Sequence, residues 1–213
     1  MVKKLREGQE ILLAPDIFGR LDNGKSVVSD VRNCPARSLD ISSIDDKIII
    51  YERQVKEWFL LPGQKISSDQ DNHFLVLMVI CSYVEGFIQN YRGEVSTGKT
   101  SKPMFVEGFK LIFDDEASKK NIESFYKHAR CGLFHDGMTR GKILLYSDID
   151  DLISQPFDFS DPDVIRVYPG IAIRIIDRHF ESYLNDLKNP EKTELRNNFN
   201  TIFKVEGVDQ ETS

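Results

Sequence analysis

Residues 125–141, FYKHARCGLFHDGMTRG, gather two of the chain's four histidines, His128 and His135, with Lys127, Arg130 and Arg140; Lys142 follows directly. A histidine with a near-neutral pKa can take a proton from a ribose 2′-hydroxyl or give one to a leaving oxygen. An arginine beside it can hold a phosphate with a fork of donors and stabilise the charge that builds up during attack. Together they are a minimum kit for cutting RNA by internal attack without a metal, with Arg130 and His135 as the catalytic pair. Lys127, His128, Arg140 and Lys142 are then the groups to hold RNA. One histidine cannot readily act as acid and base in the same step, so a symmetric dimer supplying two is expected.

Geometry sets a condition on this pair. On an unbroken helix five steps of about 100° leave two side chains about 140° apart. Arg130 and His135 converge only where the helix ends or bends between them. Gly132 and Gly137 supply such an ending, since glycine readily takes the left-handed conformation that stops a helix. A second pair of the same spacing, Arg174 and His179, sits inside a strongly helical stretch and points apart. Structural roles compete for the same residues. Arg130 could pair with a carboxylate such as Glu85, which lies among apolar neighbours and reads best as a supporting partner for a cation. His135 could cap a helix end. His128, Cys131 and His135 follow one another at i, i+3 and i+7, a spacing that could hold zinc on a continuous helix. No fourth ligand is evident, and neither a metal nor a cofactor is expected. Residues 93–100, GEVSTGKT, match the spacing of a phosphate-binding loop, but a helix rather than a buried strand should precede them.

The elements that must position these groups are mainly helical. Apolar spacing predicts a helix from Ile44 to the Pro62-Gly63 pair, and a central buried helix over residues 69–91. A short helix follows over residues 104–113, then one over residues 116–133 with Ile122, Phe125, Tyr126 and Ala129 inward, ended by His135-Asp136-Gly137. Residues 142–146 and 164–168 read as a strand pair. A long helix over residues 171–187 stops at Asn189-Pro190. Before Ile44, short apolar runs flank Asn23-Gly24, a tight-turn signal, and predict an N-terminal flap with a β-hairpin. The expected division is a flap (1–44), a helical domain (45–188) and a C-terminal tail (189–213) with one amphipathic segment and a polar end.

The segment ARCGLFHDG resembles the Arg-x4-6-His motif of HEPN domains. The resemblance covers residues 44–187 and implies a mainly α, HEPN-like helical bundle, here with a small β-hairpin insertion and the N-terminal flap. It further implies a homodimer, metal-independent RNase activity in active members, and roles in toxin–antitoxin or antiviral defence systems, where an antitoxin or other partner protein is bound. It maps the family's arginine to Arg130 and its histidine to His135. Active members often carry a polar residue after the arginine. Cys131 stands there in this chain, a poor hydrogen-bonding group, which leaves room for the non-catalytic interaction modules that the family also contains; these would bind a partner protein, nucleotide or RNA.

Composition narrows the classes. The chain has 213 residues, 40% hydrophobic and 29% charged, enough for a sizeable core. A formal charge of −6 argues against a general electrostatic grip on nucleic acid and leaves only a local basic groove. Three widely spaced cysteines suit reduced thiols rather than a disulfide framework. The longest apolar run, FLVLMVIC, is far short of the roughly 18 residues that span a bilayer, and the start MVKKLREGQE lacks the apolar stretch of a signal peptide. A cytoplasmic protein without a membrane partner is expected.

Overall fold

A computed structural model describes residues 2–113, 117–147 and 155–207. Among them, nine strands form three sheets beside the helices, so the fold is a mixture of α and β and not the mainly helical bundle expected above. Strands missed by the sequence reading are two to four residues long, too short for apolar alternation to register. Two compact units can be distinguished. One comprises the residues up to Phe59, Asn90–Glu94 and the residues from Leu184 on; the other comprises Leu60–Gln89 and Val95–Tyr183.

The first unit begins with β1 (Val2–Leu5), followed by β2 (Ile11–Ala14), β3 (Ile17–Asp22), β4 (Lys25–Asp30) and β5 (Arg37–Leu39). β2 to β5 form an antiparallel sheet in chain order, a larger structure than a hairpin flap. The Asn23-Gly24 turn joins β3 to β4 as the sequence indicates. Both residues have positive φ, 51° and 74°, which matches the twist of a two-residue hairpin. Helix α1 (Ile44–Val55) starts at Ser43, whose side chain accepts from the Asp46 amide, with Asp45 and Asp46 favourably placed in the first turn. Its Arg53 forks onto Asp30 of β4 with two 2.7 Å bonds, holding that buried carboxyl below its usual pKa.

α1 does not stop at Pro62-Gly63. It widens into a π-helical stretch, Lys56–Leu60, and continues as α2 (Leu61–Ile66), with Pro62 in the first turn of α2. Trp58 and Phe59 on the widened stretch are exposed rather than core residues.

The second unit holds α2, most of α3 (His73–Arg92), α4 (Ser101–Phe113) and α5 (Lys119–Phe125), and the expected start of α5 at Glu116 lies outside the described residues. By length and composition Gln70–Arg92 could cross a membrane, yet half of its most apolar window is buried within the protein, as in a core helix. Beyond α5 come β6 (Ile143–Leu145), β7 (Phe157–Asp158) and β8 (Ile165–Val167). β6 and β8 do pair, but in parallel, with β7 antiparallel on the far side of β8; the expected hairpin insertion is a three-stranded sheet. A parallel pair needs a long crossover, which accounts for the length of the connection. Phe105, Phe109, Phe113, Phe125 and Phe157 form one aromatic cluster, with Phe157 of β7 4.7–5.0 Å from Phe109, Phe113 and Phe125. α6 (Pro169–Lys188) follows and packs Phe180 and His179 against Tyr83 of α3.

In the first unit again, α7 (Thr193–Ile202) buries Phe199 against Tyr51, and β9 (Lys204–Gly207) pairs in parallel with β1, Val2 opposite Lys204. The expected tail is therefore helix and strand up to Gly207; its polar end lies outside the described residues.

Candidate functional site

Ser118 caps α5 by accepting from the Asn121 amide, and Ile122, Phe125 and Ala129 point into the core. After Phe125 the helix widens into two π-helical stretches, Tyr126–Arg130 and Gly132–Asp136. The Cys131 amide accordingly donates to the Tyr126 carbonyl, five residues back. Gly137, with φ of 73°, ends the helix where the sequence places its stop. The chain then folds back, and the Arg140 amide donates to the His128 carbonyl at 2.8 Å. This return lies directly on Gly132, where a Cβ would come 2.5 Å from the Met138 carbonyl oxygen. Only glycine admits so close a pass. π-Helical insertions of this kind recur at functional sites because they re-aim side chains.

The widening also alters the relation between Arg130 and His135. With bonds to the fifth residue, a step is roughly 80° rather than 100°, so five steps overshoot one turn by roughly 40° instead of 140°. The angular gap thus narrows without the helix ending at Gly132.

Arg130 is nevertheless engaged elsewhere. Its Nε donates to Glu85 Oε2 at 3.0 Å and its second terminal nitrogen to both carboxylate oxygens at 2.7 and 2.8 Å. Ser101 Oγ donates to Glu85 Oε1 at 3.0 Å, which leaves the Tyr126 hydroxyl to donate to Ser101 at 2.9 Å. The guanidinium lies 5.6 Å from the centre of the Tyr126 ring and 5.2 Å from that of Phe134. Burial works against the Arg130 charge, and the bonds and charge of Glu85 outweigh it, so its pKa is raised. Glu85 thus takes the supporting place, and Arg130 is held in a nearly closed polar network. His135 is exposed on the second π-helical stretch. Arg140, expected to hold RNA, binds Asp136 through Nε at 2.5 Å and keeps that carboxyl below its usual pKa.

A different set of residues surrounds open space. A cleft of about 560 Å³ is lined by Lys102, Lys120, Lys127 and Lys142, with His128 and one carboxylate, Glu123; Cys131 also reaches it. Neither Arg130 nor His135 lines it. Lys102 lies 3.8 Å from Glu123, and Lys142 reaches Asp163 at 3.5 Å and donates to the Pro162 carbonyl at 2.9 Å. Lys120 and Lys127 have no carboxylate within ion-pair range among the described residues. Burial and the neighbouring Lys127, Lys142 and Arg140 charges push the His128 pKa down, so the ring is neutral at pH 7. Its Nδ1 is buried without a hydrogen-bond partner. No group of three or more His, Cys, Asp and Glu side chains placed to hold a metal occurs among the described residues, and His128, Cys131 and His135 do not form one. The GEVSTGKT loop leads from α3 into α4, where Thr97 and Thr100 bond each other ahead of Ser101, and no strand precedes it.

Of the expected RNA-binding residues, the structure therefore brings Lys127, His128 and Lys142 together at the cleft, which Arg130 does not line, and leaves Arg140 on Asp136. The sequence reading missed Lys102 and counted Lys120, with Lys119, only as added charge on the same helix. Lys120 was discoverable: with Glu123, Ser124, Lys127 and Cys131 it forms one helix face at spacings of three and four. Lys102, on a different helix, left no signal. Neither a protein-family model, nor a curated protein, nor a solved structure matches the chain.

Proposed function

We propose that the protein binds RNA by its phosphates in the cleft lined by Lys102, Lys120, Lys127 and Lys142. The observation that carries this reading is four lysines and a single carboxylate lining one cleft, two of the lysines, Lys120 and Lys127, without a carboxylate in ion-pair range among the described residues, in a chain whose net charge is −6. Such a local concentration attracts phosphate where the whole molecule would repel it. Three free cysteines suit a reducing compartment, and we place the protein in the cytoplasm on that ground.

Fluorescence anisotropy with a labelled single-stranded oligoribonucleotide tests it. Wild type should bind with affinity that falls as salt rises, with a log–log slope of about −2 for three phosphate contacts. The double variant Lys120→Glu, Lys127→Glu should bind at least about tenfold more weakly. Equal binding by both proteins, or binding indifferent to salt, rejects the cleft as the RNA site.

A second reading, metal-independent endoribonuclease activity in a homodimer, is favoured by one feature, the exposed His135 on a π-helical stretch five residues after Arg130. In that reading His135 transfers the proton, while Arg130, already tied to Glu85, positions the backbone of the motif. Total RNA incubated in EDTA should be cleaved by wild type and spared by His135→Ala of the same thermal stability. Intact RNA in both samples leaves the binding module, with a partner protein as a further ligand of it.

A further inference from the structure

The terminal phosphate of an RNA strand differs from an internal one in charge: a monoester carries about −1.5 to −2 at neutral pH, an internal diester −1. The cleft is built for the larger charge. It sets four lysines around about 560 Å³, a volume in the range of small-ligand sites.

His128 adds a second, independent constraint. Its Nδ1 is shut away from solvent with no partner, while the ring lines the cleft. A buried donor without an acceptor is the costlier orphan, and unsatisfied acceptors are better tolerated. The favoured form therefore carries its single hydrogen on Nε2, the nitrogen left to meet a ligand. Protonation would place a second hydrogen on Nδ1 with nothing to receive it, beside Lys127, Lys142 and Arg140. The ring is thus a fixed neutral donor, and its position is set by the Arg140 amide on the His128 carbonyl and by the close return over Gly132. The other charged groups around it are Lys102 and Glu123 from α4 and α5, and Lys120 from α5.

We infer that the cleft recognises a terminal phosphate monoester, with His128 Nε2–H donating to a phosphate oxygen and the lysines matching its charge. This rests on the phosphate-binding reading above and adds the class of phosphate. The same chemistry is offered by a phosphorylated RNA end and by a free nucleoside monophosphate, which the experiment separates.

Isothermal titration at pH 7.5 would compare one short oligoribonucleotide bearing a 5′-phosphate, a 3′-phosphate or hydroxyls at both ends, with a nucleoside monophosphate and its nucleoside alongside. A terminal phosphate should strengthen binding at least about tenfold, and the monophosphate should bind where the nucleoside does not. A monophosphate as tight as the phosphorylated strand marks the free nucleotide as ligand; a tighter strand marks the RNA end. His128→Leu should abolish the preference and His128→Gln, which keeps an N–H donor, should restore part of it, in variants that melt like wild type. Equal affinity for phosphorylated and hydroxyl-ended RNA overturns the inference and leaves general RNA binding standing. Absence of binding to any RNA and to the monophosphate overturns both.

Discussion

Arg130 is the residue whose two roles are hardest to tell apart by activity alone, because its fork on Glu85 ties the helix of the motif to α3. The two side chains are 18% and 15% exposed, so removal of one partner strands a largely buried charge. Glu85→Gln, which keeps the shape, should destabilise the protein by about 2–3 kcal/mol, less than for a fully buried pair because some solvent reaches it. A urea midpoint unchanged by Glu85→Gln would show that the pair contributes nothing to stability. The same cost accompanies Arg130→Ala, so lost activity in that variant counts only beside a stability measurement. His179 gives a pH signature. It packs against Tyr83 and Phe87, its Nδ1 2.9 Å from the Tyr83 hydroxyl, and burial pushes its pKa down to about 4. An unfolded histidine titrates near 6.5. Above about 6.5 neither state takes the proton and the full stability is present; as the pH falls towards about 4, the unfolded chain gains a proton that the folded one refuses. Stability should drop by at most about 3 kcal/mol over that window from this group. Denaturant melts of wild type and His179→Phe between pH 7 and 4 check this, and parallel slopes would assign the loss to other groups. The sequence marked Arg174 and His179 as a spurious motif hit, and the packing of His179 between aromatic rings accords with that. It also offered Glu85 as a partner for a cation, because a lone carboxylate in an apolar stretch demands one.

At the scale of elements, the long helices were legible because periodicity accumulates over fifteen or twenty residues: α3 and α6 begin and end within a few residues of expectation. The helix end at Gly137 and the Asn-Gly turn between β3 and β4 were legible too, whereas the stop expected at Pro62-Gly63 is absent. The widened turns were not. A π-helical stretch differs from an α-helix by a slow drift in side-chain direction that five residues cannot display. Its cause is tertiary, since the Arg140 amide takes the His128 carbonyl and the returning chain rests on Gly132. That contact should be unforgiving. Gly132→Ala puts a methyl 2.5 Å from the Met138 carbonyl oxygen and 3.0 Å from the Arg140 nitrogen. Backbone atoms cannot rotate away, so the return must lift, with a cost of about 1–3 kcal/mol and a shift of the Arg140 amide resonance. Since Lys142 and His128 sit on either side of that contact, ligand binding in the cleft should weaken as well. A variant with unchanged melting temperature and amide spectrum would show that the return is not anchored there. Short strands were read worst. β7 has two residues, and what makes it a strand is Phe157 seated among three other phenylalanines, a relation invisible along the sequence.

For the whole molecule, net charge averages over unlike regions: six surplus negative charges coexist with four lysines around one cleft, the local basic groove that the composition left open. The mixed α and β architecture escaped the sequence reading partly because its strands are short and partly because two of its three sheets, β1-β9 and β6-β8-β7, join segments far apart in the chain. The first compact unit is assembled from three such segments. Its most remote pairing is β1 with β9, in which Leu5 lies opposite Gly207 and both Leu5 and Val205 are buried. During synthesis β1 leaves the ribosome about two hundred residues ahead of β9, an interval of roughly 10–40 s at ordinary elongation rates. Throughout that interval β1 has no partner strand, so the first unit can close its β1–β9 pair only after every residue of the second unit has been made.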